Sequence, residues 1–171
     1  MVGIGTDSAM ALSLEERAMD VEITHLPELR VATVRHVGPY EEIPEAFERL
    51  HQIADQAGLA SMPGTTMLAI YHDDPSTTPS EKLRSDAAVV VPPQEPLPRG
   101  LVEQTIPEGN YARAEYVGPY ERLADAWERF KRSIPGSGKQ PGAGPSFEIY
   151  RNDPTTVPKE ALVTDLYMSI A

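Results

Sequence analysis

The feature that most constrains this chain is that it is written twice. Residues 31–50, VATVRHVGPYEEIPEAFERL, align without a gap on residues 111–130, YARAEYVGPYERLADAWERF, with nine identities in twenty positions. Further along, Ile70-Tyr71-His72-Asp73-Asp74-Pro75 aligns on Ile149-Tyr150-Arg151-Asn152-Asp153-Pro154. The offset there is 79 instead of eighty, so one residue is lost in the Gly/Pro-rich loops between the anchors. A repeat of this length means one supersecondary unit used twice, and neither unit alone can bury both a helix face and a sheet face.

Each unit has the same order of elements. Val21 to His25 and Arg30 to Val37 alternate around Pro27-Glu28 as a hairpin-like pair of short strands; Leu101 to Ile106 and Tyr111 to Val117 do so around Glu108-Gly109-Asn110. The shared VGPYE then starts a helix. Gly38 or Gly118 turns the chain, and Pro39 or Pro119 is expected at the first helical position, where its missing N–H costs nothing. Ile43, Phe47, Leu50 and Ala54 in one helix, and Leu123, Trp127, Phe130 and Ile134 in the other, are spaced four, three and four apart, giving one apolar stripe each. Gly58 and Pro135-Gly136 are the expected stops. Two strands follow in each unit, Thr66–Tyr71 with Leu83–Val91 and Phe147–Tyr150 with Ala161–Ile170, joined by acidic, proline-containing surface loops. Asp86 and Asp165 fall at the start of equivalent strands and suggest a turn role.

The expected fold is α+β. A duplicated strand–helix–strand–strand module packs about a pseudo-two-fold axis, with one antiparallel sheet covered by two main helices. Residues 1–19 form a leader, with a short helical stretch at Ser13 to Met19. A single domain spans 20–171: repeat one is 20–91, PPQEPLP at 92–98 is a stiff linker, and repeat two is 99–171.

Composition removes several functions. The net charge of −11, with no basic patch beyond the short run Arg129 to Arg132, argues against direct nucleic-acid binding. There is no cysteine, which excludes thiol catalysis, disulfides and thiolate metal sites. No stretch of about 18 apolar residues is present, and the N-terminus lacks a signal-peptide pattern, so a cytoplasmic protein is expected. No metal and no cofactor is expected: His72-Asp73-Asp74 is matched by Arg151-Asn152-Asp153, which is no ligand set. His36 and His51 have no evident Ser or Asp partner for a triad.

The two copies also serve as controls for one another. Phe147-Glu148-Ile149-Tyr150 lies over Leu68-Ala69-Ile70-Tyr71, so Glu148 stands where the other copy has alanine. A carboxylate within an apolar strand either faces solvent, as one side of an antiparallel sheet often does, or is buried at a cost that a partner must offset. Tyr150 shares its strand face. The chain is weighted toward tyrosine, seven against three phenylalanines, and a tyrosine offers both a ring face for a cation and a hydroxyl. Trp127, Tyr120, Tyr40, Phe47, Tyr71, Tyr116 and Tyr167 are the candidate wall residues, although Trp127 and Phe47 also serve as core, and Tyr40 and Tyr120 equally suit packing at a helix start.

The doubled VGPY, with FEIY and NDP in the second copy, resembles the GyrI-like family, which includes DNA gyrase inhibitory proteins and effector-binding domains of AraC- and MerR-type multidrug-sensing regulators. The resemblance covers about residues 20–171. It implies a groove near the pseudo-two-fold axis that binds lipophilic, often cationic aromatic compounds, with Glu148 at the pocket floor. Only about 20 residues precede the domain, too few for a helix-turn-helix pair, so a stand-alone member is expected. Two other roles are implied by the family. One is hydrolysis of cyclopropane-bearing genotoxins, with Glu148 as general base and Tyr150 or Tyr120 assisting; the other is binding to DNA gyrase.

Overall fold

A computed structural model describes residues 18–59 and 65–171. Residues 1–17 lie outside that range, and with them nearly all of the helix expected in the leader. The described residues form eight strands: β1 (Glu22–Leu26), β2 (Leu29–Val37), β3 (Met67–Tyr71), β4 (Arg84–Val90), β5 (Val102–Ile106), β6 (Gly109–Val117), β7 (Pro141–Tyr150) and β8 (Val163–Ile170). Two α-helices accompany them among the described residues, α1 (Pro44–Gln56) and α2 (Leu123–Ser133). The strands form one antiparallel sheet in the order β1-β6-β8-β7-β3-β4-β2-β5. That order is unchanged when β1–β4 are exchanged for β5–β8 and the sheet is read from its other edge.

The outer strands correct the hairpin expectation. β1 pairs with β6, and β5 pairs with β2, so each half lends its first strand to the other. The physical reason lies in the turns. Only Pro27-Glu28 separates β1 from β2, and only Pro107-Glu108 separates β5 from β6. A two-residue hairpin needs positive φ at its first central residue, which proline cannot adopt. The chain therefore crosses to the other half instead of folding back on itself.

The helix start also differs from expectation. Pro39 and Pro119 have extended ψ values of 138° and 151°, and each precedes a single turn of 3-10 helix, Tyr40–Glu42 or Tyr120–Arg122. Their carbonyls are held from the strand before: His36 Nε2 bonds Pro39 O at 2.9 Å, and the Tyr116 hydroxyl donates to Pro119 O at 2.7 Å. Each proline caps the turn instead of entering it, its carbonyl also accepting the first 3-10 bond, from the Glu42 N–H at 3.0 Å or the Arg122 N–H at 3.2 Å, and in α1 the first helical position is taken by Pro44. Beyond α2, Pro135 and Gly136 sit inside another 3-10 turn, and the left-handed residue that ends it is Gly138, at φ +82°.

Both helices lie on one face of the sheet. Leu50, Ala46 and Ala54 of α1 pack on Ala32, Val34, Ala69, Ala87 and Val89; Phe130 and Ala126 of α2 pack on Ala112, Ala114, Leu166 and Met168. Leu50 and Phe130 are fully buried, each worth roughly 2–3 kcal/mol of transfer free energy. The small residues under the helices let α1 and α2 approach the strands closely. On the other face, Val31, Leu68, Ile70, Ala88, Ile106, Tyr111, Phe147 and Tyr167 form a second cluster, and the sheet curls over it with Leu26 contributed from the edge strand β1 and Leu29 from the start of β2.

β7 begins at Pro141, six residues before the expected start. Gly142 and Gly144 permit this: a Cβ on either would lie 2.9 Å from Ile170 or Ser169 of the neighbouring strand. Among the described residues no helix is long and apolar enough to cross a membrane.

Candidate functional site

The centre of the sheet is the β3–β7 pair, and its register sets Ala69 opposite Glu148. These two residues are also equivalents in the alignment of the halves, so the exchange of alanine for a carboxylate falls at the middle of the sheet. Phe147 and Ile149 point into the cluster away from the helices, which turns Glu148 and Tyr150 toward them. Glu148 is only 1% exposed. The solvated alternative open at the level of sequence is thereby ruled out.

Both carboxylate oxygens are engaged. The Trp127 indole N–H, projecting from α2, donates to Oε1 at 2.7 Å, and the Tyr150 hydroxyl donates to Oε2 at 2.6 Å. Phe47 stands where Trp127 does in the other half and has no donor, matching Ala69, which needs none. Glu148 forms no ion pair with a described residue. Burial raises its pKa above the usual carboxylate value, and the hydrogen bonds from Tyr150, Trp127 and Tyr71 only partly offset this. Burial, and then the Glu148 charge, push the hydroxyls of Tyr71 and Tyr150 well above 10. They remain donors at any ordinary pH.

Rings surround this carboxylate in two matching sets. On one side Tyr40 lies 4.7 Å from Tyr71, which meets Trp127 edge-on at 5.8 Å. On the other, Tyr120 lies 5.4 Å from Tyr150, which meets Phe47 edge-on at 5.8 Å. Each set takes one ring from the helix of the opposite half, so the site exists only when the halves are together. The rings and Glu148 line a groove of about 1730 Å³ between the helices and the loops that follow β3 and β7. Its rim is acidic: Glu41, Glu48, Asp74, Glu121, Glu128 and Asp153 line it. Of the lysine and the arginine there, Arg151 already bonds Glu115 at 2.6 Å, and Lys131 lies 4.0 Å from Glu128.

The groove gathers Glu148, Tyr150, Trp127, Tyr120, Tyr40, Phe47 and Tyr71. Two candidates from the sequence lie elsewhere. Tyr116 anchors the Pro119 carbonyl, and Tyr167 stacks on Phe147 at 4.9 Å on the far face of the sheet. Alternation along β8 accounts for Tyr167, because neighbouring Leu166 and Met168 face α2.

Sequence reading missed the rim and two buried ionic clusters. Asp86 is 0% exposed and accepts bonds from Arg35 at 2.7 Å, Gln104 at 2.8 Å and His72. Its counterpart Asp165 is held by Arg113 at 2.7 Å and Arg151 at 3.5 Å. Neither is a turn residue. Burial raises the Asp86 pKa, but the bonds from His72, Arg35 and Gln104 outweigh it and leave the carboxyl below its ordinary value. The available signal was an aspartate at the same place in both apolar strands. For the rim it was Glu41 with Glu121 and Glu48 with Glu128, each pair eighty residues apart. Among the described residues no group of His, Asp and Glu is arranged to hold a metal ion.

Comparison with known proteins gives a consistent result. A protein named DNA gyrase inhibitor from Yersinia enterocolitica is 35% identical over 130 residues, covering 72% of this chain and 81% of its own. The C-terminal domain of EcmrR superimposes with a TM-score of 0.70 at 15% identity, covering 91% of this chain and 99% of that one. SAV2435, solved bound to tetraphenylphosphonium, superimposes with a TM-score of 0.62 at 15% identity, covering 90% and 94%. At such identities the likeness to the solved structures shows the fold alone. The family model for the GyrI-like small molecule binding domain matches residues 19–171, and the chain belongs to that family.

Proposed function

We propose that this protein binds lipophilic aromatic cations in the groove between its halves, with Glu148 as the carboxylate that meets their charge. One observation carries the reading: a glutamate 1% exposed, bonded only by neutral donors, with no cationic partner among the described residues. A buried carboxylate lacking a counter-charge is costly, and a bound cation removes that cost. The facing rings add stacking and cation–π attraction, and the acidic rim raises the local concentration of cations. The phosphonium bound to SAV2435, a protein of the same fold, supplies a suitable probe.

The same atoms suit a second reading, in which Glu148 with its raised pKa draws a proton from water and Tyr150 assists in opening a strained electrophile. Binding is preferred because it needs only a charge and facing rings, which the groove supplies, whereas hydrolysis also needs a water held against Glu148, whose two oxygens already accept from Tyr150 and Trp127. A partner role at DNA gyrase is supported by the name of the Yersinia relative.

A mass-spectrometric time course tests the proposal. Tetraphenylphosphonium and a panel of strained electrophiles are incubated with substoichiometric protein, with Glu148→Gln in parallel. Unchanged phosphonium retained by the protein, and lost from the variant, supports binding. A water adduct that accumulates past one equivalent only when Glu148 is present makes the protein a hydrolase instead. Phosphonium retained equally by the variant removes Glu148 from the site.

A further inference from the structure

The two walls of the groove differ in the bonding of one oxygen. Tyr40 and Tyr120 are equivalents in the alignment of the halves, each opens a 3-10 turn, and each leans on a strand tyrosine. Tyr40 is tethered: its hydroxyl donates to Asp73 O at 2.6 Å and accepts from Asp73 N–H at 3.1 Å. The Tyr120 hydroxyl has no hydrogen bond to any described residue.

The loop opposite Tyr120 does not explain this, because it is built like its counterpart. The Val163 N–H bonds the Asn152 side chain at 3.0 Å, as the Arg84 N–H bonds Asp73 at 2.8 Å. The loop takes the same form and the phenol still does not reach it. Accordingly the Tyr120 ring sits 5.4 Å from its partner ring, against 4.7 Å for Tyr40. Tyr120 lines the groove, is half-buried, and its oxygen is not among the sealed polar atoms. Burial, then the Glu148 charge, raises its pKa, which keeps it a donor. A donor in a partly dried groove bonds an incoming acceptor with less competition from water than at the surface.

We propose that Tyr120 is the specificity residue of the groove, donating a hydrogen bond to an ether or carbonyl oxygen on one arm of an aromatic cation. Because Tyr40 is tethered and Tyr120 is not, such a cation is read in one orientation, its oxygen-bearing arm toward Tyr120 and a hydrocarbon arm toward Tyr40. This rests on the reading of the groove as a cation site.

The test compares two cations that differ only by an ether oxygen in place of a methylene, para-methoxyphenyl-triphenylphosphonium and its para-ethylphenyl analogue. Affinities are measured for the unmodified protein, Tyr120→Phe and Tyr40→Phe. The expected result is a preference of about fivefold for the methoxy compound, the scale of one hydrogen bond. It disappears in Tyr120→Phe and survives in Tyr40→Phe. Equal affinities in the unmodified protein, or a preference that persists in Tyr120→Phe, overturns the proposal while leaving the cation site standing. If neither cation binds, both fall. Thermal unfolding supplies an independent readout. Tyr120→Phe removes no bond and leaves the midpoint unchanged, whereas Tyr40→Phe lowers it; a lowered midpoint for Tyr120→Phe would mean that its hydroxyl is structural.

Discussion

Trp127 on α2 and Glu148 on β7 are joined by an indole N–H bond of 2.7 Å, and neither has a polar counterpart in the other half, where Phe47 and Ala69 stand. The donor and the acceptor occur together or not at all. That pairing makes the carboxylate tolerable while leaving its charge without an opposing one.

Trp127→Phe should restore the state of the first half at one residue only. It leaves Oε1 of Glu148 short of a donor and lowers stability by about 1–3 kcal/mol. Because that bond holds the pKa of Glu148 down, its loss raises it further. Chemical denaturation at neutral pH checks the stability, and Trp127→Phe combined with Glu148→Ala should be less damaging than the single change.

Glu148 should also make stability and binding depend on pH with opposite signs. Its folded pKa is raised from 4.5, so the folded protein holds this proton more tightly than the unfolded chain. Stability from this group is therefore greatest below the unfolded value and declines as pH rises through the folded one. Cation affinity moves the other way, rising as the carboxyl ionises. Denaturation midpoints and phosphonium titrations across this range should show both trends, and Glu148→Gln should flatten both.

Asp86 carries the reverse dependence. Its pKa is lowered by His72, Arg35 and Gln104 against the effect of burial, so its contribution is present above the unfolded value and is lost as pH falls through the folded one. Asp86→Asn leaves His72 and Arg35 without their carboxylate. Arg35 is half-exposed, so the cost is set at the low end for a broken buried pair, about 3 kcal/mol. Urea unfolding at neutral pH measures it, and the gap to the unmodified protein should narrow in acid.

The two VGPY glycines should respond unequally to alanine. Gly38 has φ +134° and Gly118 φ +151°, so both substitutions strain the backbone. A Cβ at Gly118 would also meet the Tyr116 hydroxyl at 2.8 Å, whereas at Gly38 the nearest atoms are 3.6 Å away. Gly118→Ala should therefore be the more damaging, with strain on the order of 1–3 kcal/mol at each site and the clash added at Gly118 alone. Melting of the two variants side by side decides it.

Much of this was readable from residues alone. Helix spacing identified the faces of α1 and α2, and strand alternation placed Glu148 and Tyr150 together, because both signals are local and periodic. The exchange of β1 and β5 was not read, since strand partners lie about eighty residues apart and alternation is silent about them; only the proline in each two-residue turn argued against a hairpin. The start of β7 was hidden because PGAGPS has a loop composition, and only the closeness of Ile170 and Ser169 explains the glycines. Tyr116 and Tyr167 were counted with the groove because composition does not say which way a ring points. The tethering of Tyr40 to a backbone carbonyl leaves no trace in sequence, since any residue at Asp73 would offer that oxygen.

The most direct measurement sets tetraphenylphosphonium against tetraphenylborate, which share shape and aromatic surface and differ in the sign of their charge. Trp127 is the chain's single tryptophan and bonds Glu148 directly, so its fluorescence reports the groove without a label. The account predicts that the phosphonium binds and the borate does not, and that Glu148→Gln weakens the phosphonium by at least about tenfold, or 1.4 kcal/mol. Equal binding of the two ions, or a phosphonium affinity untouched by Glu148→Gln, would contradict it.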